Sequence, residues 1–163
     1  MKIFNASEIY QFAVRIEDNG EMIYKKFSKT LKDKEAGDLF IYLADEEVKH
    51  RRIFEEMLAP LEKYEPAESY PGEYFTYLRS YADGVVFARD RMEKERTGVT
   101  EFLSAADFGL RRETDSIMFY QEMKGAVSND QKASIEKVIE EERKHFLKIY
   151  ELKQKRSKES GSF

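Results

Sequence analysis

Two short motifs, Glu47-Val48-Lys49-His50 and Glu142-Arg143-Lys144-His145, stand 95 residues apart inside stretches that otherwise read as amphipathic helices. In the first, Phe40, Leu43, Phe54 and Met57 recur at three- and four-residue spacing; in the second, Ile135, Val138, Ile149 and Leu152 do the same. Such a stripe is the face a helix turns toward a core. Both motifs set their Glu and His on that stripe, about one turn apart, where the two side chains reach the same small volume. An ionised carboxylate buried without a partner costs on the order of several kcal/mol. Whatever this chain folds into must bring positive charge to these acids.

The rest of the chain repeats in the same way. At an offset of 96 residues Glu17 aligns with Glu113, Ala13 with Gly109, Gly20 with Ser116, Ile23 with Phe119 and Tyr24 with Tyr120. Nearby acids do not share this property, since Asp18 aligns with Thr114 and Glu21 with Ile117. The sequence is therefore expected to form two similar helical hairpins, each contributing one polar set. Four glutamates (Glu17, Glu47, Glu113, Glu142) carry −4, two divalent cations supply +4, and the neutral imidazoles of His50 and His145 complete a ligand set. Carboxylate oxygens with imidazole nitrogens suit iron or manganese, with zinc also compatible with the ligand type. Ala13 and Gly109, four residues before the lone glutamates, are expected to leave room for the cluster. Tyr24 and Tyr120 lie two turns from those glutamates on the same face, placed to donate hydrogen bonds to carboxylates across the site. Glu46 and Glu141 each precede a ligand glutamate and are placed to orient the opposite histidine through its outer ring nitrogen. The competing reading of the same residues is a structural core neutralised by lysine and arginine.

The fold class expected is all-α, an antiparallel four-helix bundle in one domain spanning 1–156. Helices are expected over about 7–31, 34–59, 100–124 and 129–155, with Asn5 and Glu8 as a capping box and Asp33 as the cap of the second helix. All three prolines fall between positions 60 and 71, so the second helix is expected to stop at Ala59 before Pro60. Gly125 is expected to end the third helix in a left-handed conformation. The connection over 61–99 is long enough to need structure of its own, one or two short helices beginning near Glu73. The tail 157–163 is expected to be disordered. Short turns inside each pair and a long crossover between pairs describe ferritin-like topology.

Composition narrows the function classes. The 163 residues carry a net charge of −4 with acids and bases interspersed, which gives no electrostatic reason to expect nucleic acid or an anionic membrane. No apolar run approaches a bilayer-spanning length. The start, Met1-Lys2-Ile3-Phe4-Asn5, lacks the apolar stretch of a secretory signal, so a cytoplasmic location is expected. Absence of cysteine removes disulfides, thiol catalysis and cysteine-ligated metal sites.

Glu17 with Tyr24, Glu47-Val48-Lys49-His50, Glu113 with Tyr120, and Glu142-Arg143-Lys144-His145 together resemble the ferritin-like di-iron carboxylate proteins, and among them the rubrerythrin-like branch. The resemblance covers roughly 7–59 and 100–155. It implies Glu17 and Glu113 as terminal or flexible ligands, Glu47 and Glu142 as bridges, and one histidine on each metal. Departures are equally informative. Rubrerythrin proper has a four-cysteine rubredoxin domain that this sequence lacks, and an extra carboxylate where this chain has Ser116. Bacterioferritin places its haem-ligating methionine where Val48 stands, so no haem is expected. Classical ferritins lack the second Glu-x-x-His. The resemblance thus implies a di-iron oxidoreductase that reduces peroxide or dioxygen with an external electron donor, assembled as a homo-oligomer, a dimer rather than a cage. A ferroxidase or iron-handling protein is the alternative within metal chemistry. A metal-free helical interaction module, using the aromatic segment from Tyr70 to Phe87, is the alternative outside it.

Overall fold

The computed structural model describes residues 6–62, 76–77, 80–81 and 102–160. Four long helices account for nearly all of them. Helix α1 (Ala6–Thr30) and α2 (Lys34–Glu62) form one hairpin, and α3 (Phe102–Met123) and α4 (Asn129–Ser160) form the second. Asp33 caps α2, its Oδ1 accepting from the Ala36 N–H at 3.1 Å, an interaction worth about 1 kcal/mol. Contacts between the hairpins run from α1 to α3 and from α2 to α4. Tyr24 meets Glu113 while Tyr120 meets Glu17, and Asp33 meets Arg156 while His50 meets Glu141, so both cross-hairpin pairs are antiparallel.

The inward stripes expected from the sequence are the buried ones, except that Met57 is half-buried at the edge of the core. They form two separate apolar clusters. One gathers Ile9, Ala13, Ile16, Phe54, Phe119, Met123, Ile135 and Val138; the other gathers Ile23, Phe27, Phe40, Leu43, Ala105, Phe108, Ile149 and Leu152. Along every helix the motif residues fall between the two, so a polar layer is sandwiched between two oily plugs. Among the described residues no helix is long and apolar enough to cross a membrane.

Several boundaries differ from expectation. The second helix does not stop at Ala59 but runs through Pro60 to Glu62. The fixed φ of proline is helical, only one backbone bond is lost, and Leu58 and Leu61 pack on the first cluster, which holds the last turn in place. Gly125 is not left-handed, since no described glycine has positive φ. Instead α3 tightens into a 3-10 turn over Lys124–Ala126 that buries Ala126, and Val127 follows in extended conformation. The fourth helix passes residue 155 and continues to Ser160, so residues 157–160 of the expected tail are helical. Arg156 holds this end to the other hairpin through Asp33 and Glu35. Gly109 does not make room for a cluster: a Cβ there would meet Ile149 Cδ1 at 3.0 Å and Phe40, so its role is close helix packing.

Residues 76–77 and 80–81 are helical, and the Tyr81 hydroxyl donates to the Asp115 carbonyl at 3.3 Å. The remainder of the expected crossover helices, the start of the third helix near Thr100, the Asn5 capping box and residues 161–163 lie outside the described residues.

Candidate metal centre

Each of the four helices delivers an acid to the layer between the plugs, and α2 and α4 each add a histidine one turn further on. Glu17, Glu47, His50, Glu113, Glu142 and His145 are all buried, none more than 2% exposed. Glu142 sits between the two imidazoles, with Oε1 3.2 Å from His50 Nδ1 and Oε2 3.1 Å from His145 Nδ1. The rings stack with centroids 5.4 Å apart. Glu17 Oε2 lies 3.7 Å from His50 Nδ1, and Glu113 Oε2 lies 3.9 Å from His145 Nδ1. One ligand atom from each of Glu47, His50, Glu142 and His145 falls within 4.8 Å of all the others, close enough to hold a metal ion. Glu17 and Glu113 flank that group from α1 and α3.

The electrostatics are those of an acid cluster short of positive charge. Burial pushes Glu47 far above the ordinary carboxylate range, and the neighbouring charges of Glu17 and Glu142 push it further. Glu113 is raised in the same way by burial and by Glu142. Burial also opposes ionisation of Glu142, but the charge of His50 and hydrogen bonds from both histidines outweigh it and hold Glu142 well below its usual value. His50 is drawn upward by Glu142 and Glu17 against the effect of its own burial. Glu17 Oε2 is buried with no hydrogen-bond partner among the described residues. A buried carboxylate oxygen is rarely left so, because the desolvation it suffered must be repaid by a donor or a cation. Four converging carboxylates, two imidazole nitrogens aimed among them and an orphaned oxygen fit a pair of metal ions.

Around these six residues the structure places Tyr24, Tyr120 and Glu141 against the cluster and turns Glu46 to Lys49. The Tyr24 hydroxyl donates to Glu113 Oε1 and the Tyr120 hydroxyl to Glu17 Oε1, each across to the other hairpin. Burial and the adjacent carboxylates keep both phenols protonated, hence donors. Glu141 Oε2 lies 2.8 Å from His50 Nε2, which leaves Nδ1 free to face the cluster. Glu46 does not do the same for His145. It accepts from Lys49 instead, and the rings of Tyr42 and His145 meet nearly at right angles with centroids 6.2 Å apart.

One residue at the site escaped the sequence reading. Arg112, 7% exposed, places Nη2 3.6 Å from Glu47 Oε2, donates to the Ile16 carbonyl oxygen and stands 6.0 Å from the Tyr24 ring centre. The signal was present in the repeat, which aligns Arg112 with the apolar, inward Ile16. Gly20 accommodates it: a Cβ at that position would collide with both Arg112 Nη2 and Glu47 Oε2 and approach Glu47 Cδ to 2.8 Å.

The Rubrerythrin family model matches residues 8–153. A Thermotoga maritima chain of known crystal structure, described as ferritin-like and diiron-carboxylate, superposes with a TM-score of 0.66 at 24% identity, covering 94% of this chain and 97% of that one. That likeness shows a shared ferritin-like fold. No curated protein matches the chain.

Proposed function

Because the chain belongs to the rubrerythrin family, we propose that its buried cluster holds two iron ions and that the protein is an oxidoreductase reducing peroxide or dioxygen there. The observation that carries this reading is the polar layer itself: four acids and two histidines sealed between apolar plugs, with Glu17 Oε2 given no hydrogen-bond partner among the described residues. Glu17 with His50 would hold one ion, Glu113 with His145 the other, and Glu47 and Glu142 would be shared between them. Bound iron would supply the electrons and a Lewis acid for the oxidant's oxygen.

The chain's own groups do the rest. Tyr24 and Tyr120 fix the flanking carboxylates by donating to the oxygens facing away from the histidines. Glu141 fixes the tautomer of His50. The plugs keep bulk water from the acids, which strengthens every charge interaction inside. Reducing peroxide to two waters consumes two electrons and two protons. The reading includes an electron donor separate from these 163 residues, which hold no cysteine for a cysteine-ligated carrier. The reading carries with it a cytoplasmic protein that pairs with itself as a dimer, which light scattering checks against a cage.

Anaerobic ferrous titration should show two ions per chain. Rapid mixing of the loaded protein with peroxide and, separately, with oxygen then tests the chemistry. Faster oxidation by peroxide, without accumulation of ferric mineral, supports the reductase. Preferential oxygen use with growing mineral would instead make this a ferroxidase, and failure to take up stoichiometric metal would overturn the reading altogether.

A further inference from the structure

Arg112 is a fixed cation built into the wall of a cation site. Its guanidinium cannot be deprotonated in a protein, and its Nε is buried with no hydrogen-bond partner among the described residues. An arrangement of that kind is costly, so it needs a reason. The structure offers one on the α1 side, where Gly20 gives up its side chain to let Arg112 and Glu47 meet. At the repeat-related place the counterparts are Ser116 and Ile16, with no arginine. Glu142 therefore has both oxygens among histidine nitrogens, while its counterpart Glu47 has Oε2 drawn to a guanidinium.

We propose that Arg112 is a positioning residue that makes the two metal positions unequal, by holding Glu47 away from a symmetric bridge so that the second ion enters against it. The inference rests on the di-metal reading above. The first ion finds Glu142, the histidines and one oxygen of Glu47 already convergent, whereas a symmetric bridge needs both Glu47 oxygens and Oε2 faces Arg112. The second must draw Glu47 from Arg112 and do so beside a positive charge, which raises the cost of that step alone. Four glutamates, two divalent ions and Arg112 sum to +1, so the fully loaded centre is also one charge too positive without a further anion.

Equilibrium titration of the metal-free protein with Co2+, followed by visible absorption and calorimetry, reads the two binding steps without any redox turnover. Wild-type protein should bind two ions in separated steps. Arg112→Met should tighten the second step at least tenfold and leave the first within threefold, while Arg112→Lys, which keeps the charge, should restore the separation. Gly20→Ala provides a second route, since the atoms it displaces are the ends of flexible side chains. It should tighten the second step in the same direction by a smaller factor, and it decides the matter if Arg112→Met does not fold. An unchanged or weakened second step in a folded Arg112→Met or Gly20→Ala variant, or Arg112→Lys behaving as Arg112→Met, would overturn the inference while leaving the di-metal reading standing. Wild-type protein that takes up no Co2+ would overturn both.

Discussion

In the second hairpin Glu142 lies between two imidazoles, 3.2 Å from His50 Nδ1 and 3.1 Å from His145 Nδ1; in the first hairpin its repeat partner Glu47 lies 3.6 Å from Arg112. The hairpins supply the same acids and histidines, and their tyrosines reach across to each other's flanking glutamate in a reciprocal exchange. Around that symmetric frame the outer partners differ. His50 has Glu141 behind it, whereas His145 has the ring of Tyr42. A repeat fixes which residues converge, because convergence needs only the right helical face. It leaves the second layer free to diverge, because each outer partner answers to its own neighbours.

The sharpest break between the halves is at the shared acids. Glu142→Gln removes the carboxylate that lies within hydrogen-bond distance of both histidine Nδ1 atoms, and is expected to weaken uptake of both ions by more than about 100-fold, beyond the effect of losing an outer-shell partner. Glu47→Gln should leave one ion bound. Metal analysis after dialysis against a weak chelator distinguishes zero, one and two ions per chain; equal losses in the two variants would mean that Glu47 and Glu142 are equivalent after all.

The outer acids sharpen the comparison at a lower level. Glu141→Gln leaves His50 without its anionic partner, and metal affinity should fall by about 10- to 100-fold. Glu46→Gln touches a surface pair with Lys49, and its effect on metal binding should stay within about 0.5 kcal/mol. Isothermal titration of both variants reads the contrast directly. Similar losses in the two would restore the symmetric arrangement that the sequence suggested.

That suggestion shows where sequence reasoning reached and where it stopped. The bundle and the six converging residues were legible because an acid or histidine on an apolar stripe conflicts with the period around it, and the conflict occurs twice. Tyr24 and Tyr120 were legible because each stands seven residues after a lone glutamate, on the same face, in both halves of the repeat. Arg112 was not, because an arginine next to a glutamate on a charged helix reads as solvated until its register with Ile16 is weighed. Glu46 was misplaced because the pattern of α2 alone does not reveal that Lys49 competes for it. Pro60, Gly125 and the end of α4 failed on local rules overridden from elsewhere: Leu61 packs on the core, Ala126 is buried, and Arg156 reaches the opposite hairpin.

The Arg156 contact gives the smallest and cleanest separation of the hairpins, because it joins the end of the long α4 to the start of α2 far from the cluster. Arg156 donates to both oxygens of Asp33, at 2.6 and 3.1 Å. The hydrogen bond from Arg156, outweighing some burial, holds the Asp33 carboxyl below its ordinary value. A group depressed in the folded state stabilises fully above its unfolded pKa, about 3.9 for Asp, and loses that contribution as pH falls through the folded value. Asp33→Asn keeps a side chain able to cap α2 and removes only the charge. Metal-free wild-type protein should therefore melt slightly above Asp33→Asn near neutral pH, and the gap should close under acid as well as in high salt, which screens exposed pairs. Because the cluster's own titration is common to both proteins, it cancels in the difference. A gap that persists at low pH would assign the difference to capping or packing at Asp33 and remove the charge clamp between the two hairpins.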